Sequence, residues 1–172
     1  VLGLIYFDAA SGRSVALANV RDAVGEIIPP NQVVYRNAFV GLKADVRYTY
    51  TKGGVEQDII LLEEPKPPED FALNPESARI EVMTELLDPP AFKRTERVVK
   101  REKDPARRQA MAEPDVIDEL LEFSSMQLGP GRSFGLKDGD TDRQALKSER
   151  GLPVSKRVLK IENRDLLIES VE

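Results

Sequence analysis

Asp138, Asp140, Asp142 and Glu149 set carboxylates at positions 1, 3, 5 and 12 of one stretch. That is the spacing with which a calcium loop wraps hard oxygen ligands around one ion. Position 6, however, is Arg143 where the sharp turn of such a loop needs glycine, and Gly135, Gly151 and Pro153 make poor flanks for paired helices. An acidic loop in solvent competes with a calcium site at these four residues. A second set of carboxylates, Asp45, Glu56 and Asp58, falls on one face of a strand pair beside Arg47. Two carboxyls about 5–9.5 Å apart can hydrolyse a glycosidic bond. Here they lie opposite cations, so the residues read first as a solvent-facing cross-strand ion-pair lattice and only second as a glycoside hydrolase. Tyr48 and Tyr50, with Tyr35 and Phe39, offer an aromatic platform for a sugar or another partner, in competition with core packing.

Other chemistry is excluded by composition. The chain has no cysteine and no histidine. Disulfides, thiol nucleophiles and Cys-ligated metals are impossible, and so are Ser-His-Asp and Cys-His catalysis. The net charge of −5 argues against a general nucleic-acid binder. Lys93 to Arg108 carries eight basic against three acidic residues, but no aromatics interleave for base stacking; Lys93–Lys103 reads as a strand around Val98-Val99 or a charged loop, and the charge run as a whole reads first as a solvated or disordered loop. Gly129-Pro130-Gly131 is a turn: Pro130 lacks an N–H that a phosphate would need. No apolar run approaches the roughly 18 residues of a membrane span.

The elements that must position these residues centre on Val33 to Leu62. Leu42, Ala44, Val46, Tyr48 and Tyr50 alternate with Lys43, Asp45, Arg47 and Thr49, the two-residue period of a half-buried strand. Lys52-Gly53-Gly54 breaks the run, and Val55, Gln57, Ile59 and Leu61 resume it. With Lys52-Gly53 as the loop, Tyr50 faces Val55, Val46 faces Ile59, Ala44 faces Leu61 and Arg47 faces Asp58. That register is preferred because an opposed charge pair contributes about 0.2–1 kcal/mol. Val1–Phe7 and Ser14–Val20 read as a strand and its return. Glu63–Asp70 is a stiff Pro-rich connector. Arg79–Leu87 is a strand with Ile80, Val82, Thr84 and Leu86 on one face. Asp115–Phe123 looks helical, with Pro114 and acidic residues near its start. Met126–Leu128 and Phe134–Leu136 read as a hairpin about Gly129-Pro130-Gly131, and Pro153–Ile161 and Leu166–Val171 as two closing strands.

The length of 172 residues fits one domain. The expected fold is mainly β, an antiparallel β-sandwich of about 8–10 short strands with one or two short helices. Segments 93–112 and 137–151 read as variable and polar. The chain begins at Val1 without an initiator Met and reads as a piece of a larger polypeptide.

Tyr35-Arg-Asn-Ala-Phe-Val-Gly-Leu42, followed by a strand, a turn and Glu56-Gln-Asp-Ile-Ile-Leu61, resembles a β-rich domain of very large exported bacterial proteins that carry Rhs/YD-type or propeller-type repeats. The Met126–Leu136 and Pro153–Glu169 stretches fit the same pattern. The resemblance implies an extracellular or cell-surface setting. It also implies a non-catalytic structural or adhesive module whose partners are other domains of the same polypeptide or other surface proteins. It brings no established activity or cofactor. A carbohydrate-binding module is the alternative.

Overall fold

The computed structural model describes residues 1–135 and 151–171. The calcium residues expected from the sequence, Asp138, Asp140, Asp142 and Glu149, lie outside the described residues.

The strands, in chain order, are β1 (Gly3–Asp8), β2 (Arg13–Val20), β3 (Gly25–Ile28), β4 (Gln32–Tyr35), β5 (Phe39–Val40), β6 (Ala44–Thr51) and β7 (Gly54–Leu61), followed by β8 (Ala78–Leu86), β9 (Lys93–Arg101), β10 (Asp115–Glu122), β11 (Gln127–Leu128), β12 (Gly131–Ser133), β13 (Leu152–Ile161) and β14 (Arg164–Val171). The fold is mainly antiparallel β and sandwich-like. A seven-stranded sheet, β12-β13-β14-β8-β1-β2-β5, is the common floor, and a four-stranded sheet, β3-β4-β6-β7, packs over one part of it. A three-stranded sheet, β11-β10-β9, covers the part near β13. The strand count exceeds the expected 8–10 because several members are two to four residues long, too short to show a period in sequence.

The central hairpin forms as its pattern requires. Tyr50 pairs with Val55, Val46 with Ile59, Ala44 with Leu61 and Arg47 with Asp58, whose side chains meet at 3.0 Å. Ala44 and Val46 bury against Leu4, Ala18, Phe39 and Leu42 as the main core. The opposite face of β6 departs from expectation. Asp45, Arg47 and Thr49 are buried rather than solvated; Asp45 turns onto the Asn37 N–H and Arg47 onto Asp58 of the neighbouring strand. The Thr49 hydroxyl is buried without a hydrogen-bond partner. Thr49→Val keeps the branched shape and removes the stranded hydroxyl, so it is expected to raise stability by about 1 kcal/mol in urea unfolding.

The Tyr35-x-Asn37-x-Phe39-x-Gly41 element has a structural meaning at each named position. The Tyr35 ring lies over Gly25, where a Cβ would come within 3.1 Å of it. Asn37 adopts φ 47, a left-handed turn that asparagine tolerates. Phe39 is buried in the main core. Gly41 has φ 104, and a Cβ there would lie 2.5 Å from the Leu17 carbonyl oxygen, so only glycine fits. Asp45 fixes the loop by accepting a hydrogen bond from the Asn37 N–H at 2.7 Å.

Three expectations need correction. Asp115–Glu122 is not a helix but strand β10, paired with β9 and β11. Its helical spacing arises because buried carboxylates, Asp118 and Glu119, occupy positions that an ordinary strand would fill with apolar residues. The hairpin expected about Gly129-Pro130-Gly131 does not form among the described residues, Leu136 lying outside them: β11 pairs with β10 and β12 pairs with β13, in different sheets. Segment 93–112 is not a loop throughout, and of the two readings of Lys93–Lys103 the strand is the one that forms. The segment holds the exposed edge strand β9 and a short helix, α1 (Pro105–Ala110). Asp104 caps α1 by accepting from the Ala106 and Arg107 N–H groups, with Pro105 in its first turn.

Candidate functional site

The inner face of the four-stranded sheet extends beyond the floor that covers it. Strand register sets Gly25, Tyr35, Val46 and Ile59 in one row across the sheet, and Ile27, Val33, Tyr48 and Gln57 in the next. Tyr50 and Val55 form the row beyond, at the tip of the β6–β7 hairpin. Exposure rises along this face, from 0% at Ala44 and 4% at Val46 to 66% at Tyr50, 63% at Val55 and 78% at Ile27. Tyr48 lies at the transition. Its ring meets that of Tyr35 edge-on at 6.2 Å, and its hydroxyl donates to Gln57 Oε1 at 3.0 Å. Burial pushes the Tyr48 hydroxyl up from its ordinary pKa, with Tyr35 adding to the effect. The outcome is an apolar ledge whose base is fixed by the core and whose rim is open. The β3–β4 turn supports the rim through Asn31, whose carbonyl accepts from the Tyr50 N–H and whose side-chain amide donates to the Tyr50 carbonyl.

The two tyrosines expected to act together therefore differ in role. Tyr50 is exposed, whereas Tyr48 is half-buried and anchors the ledge. The carboxylates proposed for glycoside chemistry have structural partners instead. Asp45 holds Asn37 and lies 3.6 Å from Arg36, and Asp58 holds Arg47. Glu56, paired opposite Thr49, is exposed. Among the described residues no group of three or more acidic side chains could hold a metal ion.

A second feature had no sequence signal. A cleft of about 370 Å³ opens between the far side of the floor and β10, lined by Arg79, Glu113, Ser155, Arg157, Leu159 and Ser170 among others. Arg79 donates to Glu113 at 2.8 Å, and Arg157 bonds the other oxygen of the same carboxylate. Both guanidinium groups lie 5.2 Å from the centre of the Phe7 ring. Glu81, only 1% exposed, accepts from the Ser170 hydroxyl at 2.7 Å and lies 3.4 Å from Arg157. The Glu113 N–H is tied to the Ala9 carbonyl at 3.0 Å, so this network fastens the segment before β10 to the floor. Arg79 and Glu81 fall on the polar side of an alternating strand, which reads as a solvent face in sequence. Only the crossing of the segment before β10 reveals their burial.

Burial pushes the Glu81 carboxyl above its ordinary range, and Glu113 adds to this, against the Ser170 bond and the two guanidiniums. A raised carboxyl favours the fold most when protonated. Its contribution is complete below the unfolded value and is lost as pH rises through the folded one. Glu81→Gln removes that titration. Wild-type stability should therefore fall relative to Glu81→Gln as pH rises above the ordinary glutamate value of 4.5, as read by urea unfolding at several pH values.

The open edge of β13 is closed by side chains. Asp118 accepts from the Lys156 N–H at 3.2 Å and Glu119 from the Val158 N–H at 2.8 Å, while Arg94 donates to the Val158 carbonyl at 2.9 Å. Edge groups that would otherwise invite another strand are thereby occupied.

No family model, curated protein or solved structure matches this chain. No helix among the described residues is long and apolar enough to cross a membrane.

Proposed function

We propose that this chain is a non-catalytic interaction module of a larger exported bacterial protein, and that it binds a neighbouring protein domain through the Ile27–Tyr50–Val55 ledge. The observation that carries this reading is the exposure of three large apolar side chains in continuity with a rigid core face. Exposed apolar surface of that kind marks interaction sites, and tyrosine at its rim supplies contact area at small entropic cost. A protein partner fits better than a glycan. Val33, Val55 and Ile27 are aliphatic, and the two amides at the ledge are engaged within the fold: Gln57 accepts the Tyr48 hydroxyl and Asn31 donates to the Tyr50 carbonyl. Sugars need free hydrogen-bonding groups beside the ring they stack on. The exposed Tyr50 ring alone favours the carbohydrate reading.

The double substitution Tyr50→Ser and Val55→Ser tests this. It should weaken association with adjoining domains of the parent protein by about tenfold or more, as central aromatic anchors do, while leaving the melting transition in place. Unchanged association would reject the ledge. Saturable quenching of tyrosine emission by oligosaccharides, lost in the same variant, would move the assignment to glycan binding.

A further inference from the structure

Lys156 and Asp118 form an ion pair in an apolar setting. Lys156 on β13 is 3% exposed and Asp118 on β10 is 5% exposed. The Lys156 Nζ lies 2.8 Å from Asp118 Oδ1. Two residues along β13, Val158 is buried with Leu121 and Leu167, and Phe92, Phe123 and Leu128 pack against that cluster. Glu169 on β14 is the direct cross-strand partner of Lys156. Burial pushes the Glu169 carboxyl up, against the pull of Lys156, so it keeps its proton to higher pH than an ordinary glutamate. On the far side, Arg97 donates to Asp118 Oδ2 at 3.1 Å. A buried amine thus touches a carboxyl group that is polarised by a cation, and the residue opposite it on β14 carries a second carboxyl.

We propose that Lys156 and Asp118 condense to an intramolecular isopeptide bond that covalently joins the three-stranded sheet to the seven-stranded floor. A proton passes from Nζ to Oδ1 along the existing hydrogen bond, leaving a neutral amine and a neutral acid. The Nζ lone pair attacks Cγ, which the Oδ1 contact brings near the attack distance of about 3–3.5 Å. Negative charge gathers on Oδ2, where Arg97 already donates, as in an oxyanion hole. Glu169, in its protonated form, gives its proton to the departing Oδ1 and takes one from Nζ. The products are an Nζ–Cγ amide, one water and Glu169 as it began, with no oxidant, reductant or cofactor consumed. The held geometry replaces external activation, since fixed neighbours react with effective concentrations of about 10⁵–10⁸ M. In a chain without cysteine, this amide provides the covalent tie that a disulfide would supply elsewhere.

The intact mass of the purified full chain tests the proposal directly. The expected mass is that of the sequence less one water, with a branched proteolytic peptide that carries both Lys156 and Asp118 in tandem mass spectra. Lys156→Arg should restore the full sequence mass. Glu169→Ala, confirmed as folded by a cooperative melt, should lose most of the branched peptide. A wild-type chain at its full sequence mass overturns the proposal whatever the variants do. A water deficit mapped to other residues also overturns it, and branched peptide undiminished in Glu169→Ala removes Glu169 from the reaction.

Discussion

Replacing Val46 with aspartate is expected to abolish the cooperative melt of this protein. Val46 is 4% exposed and sits between Tyr35 and Ile59 in the same row of the sheet. Burial of a valine contributes about 1.5–3 kcal/mol, which the substitution forfeits. A carboxylate without a partner in that position adds a desolvation penalty of several kcal/mol. Domains of this kind are stable by about 5–15 kcal/mol in all, so the combined loss consumes most or all of the margin. Val55→Asp is the matched control. It places the same charge on the same face of the same hairpin, but at a position 63% exposed, and should alter stability by no more than about 0.5 kcal/mol. Thermal melts followed by far-ultraviolet circular dichroism distinguish the two. A cooperative wild-type-like transition in Val46→Asp would show that the hairpin is not the core element described above.

Asp118→Ala has the next largest expected effect. The substitution leaves the Lys156 ammonium buried without its acid and strips the β13 edge N–H of its acceptor. Removing one partner of a buried ion pair costs about 3–5 kcal/mol. The loss should appear first as local opening. Hydrogen exchange should accelerate across β9, β10 and the Lys156–Val158 edge, while the β6–β7 hairpin, in a separate core cluster, remains protected. Replacing both partners, as Asp118→Leu with Lys156→Met, removes the stranded charge and should recover the share of the loss due to it, but not the share due to the covalent tie between the sheets. Equal exchange in the two halves of Asp118→Ala would contradict the view that this pair fastens the three-stranded sheet.

The parts of the fold that were legible in sequence are those governed by neighbouring residues. The Lys52-Gly53 turn and the alternation on either side of it specified the β6–β7 register residue by residue, with Arg47–Asp58 as the deciding pair. The faces of β8 and the β13–β14 strands were readable for the same reason. At the β13–β14 turn, Glu162 and Asn163 adopt the paired left-handed conformations that match strand twist. What could not be read is set by distant partners. Asp118 and Glu119 are buried because the edge of β13 needs acceptors, and β13 lies some forty positions further along the chain. Their presence gave β10 a false helical period. Arg79, Glu81, Glu113 and Arg157 likewise come from separate segments, and nothing local marks any of them as buried. The α1 cap was legible in principle. Asp104-Pro105 is a standard helix start, masked by the density of charge around it. For the ledge, sequence identified Tyr48 and Tyr50 but could not divide their roles, since the limit of the covering sheet is a tertiary property.

The ledge also explains why one face of the hairpin can serve both stability and contact. Its inner rows are core and fix the strand geometry, and its outer row inherits that rigidity while remaining open. A binding surface held this way loses little side-chain freedom on association. The most direct measurement is site-specific photo-crosslinking in the producing cells, with the reactive side chain placed at Tyr50 in one strain and at Leu87, 80% exposed and away from the ledge, in another. A discrete protein adduct from position 50 and none from position 87 is the expected result. No adduct from position 50, or the same adducts from both positions, would contradict the assignment of the ledge as the interaction surface.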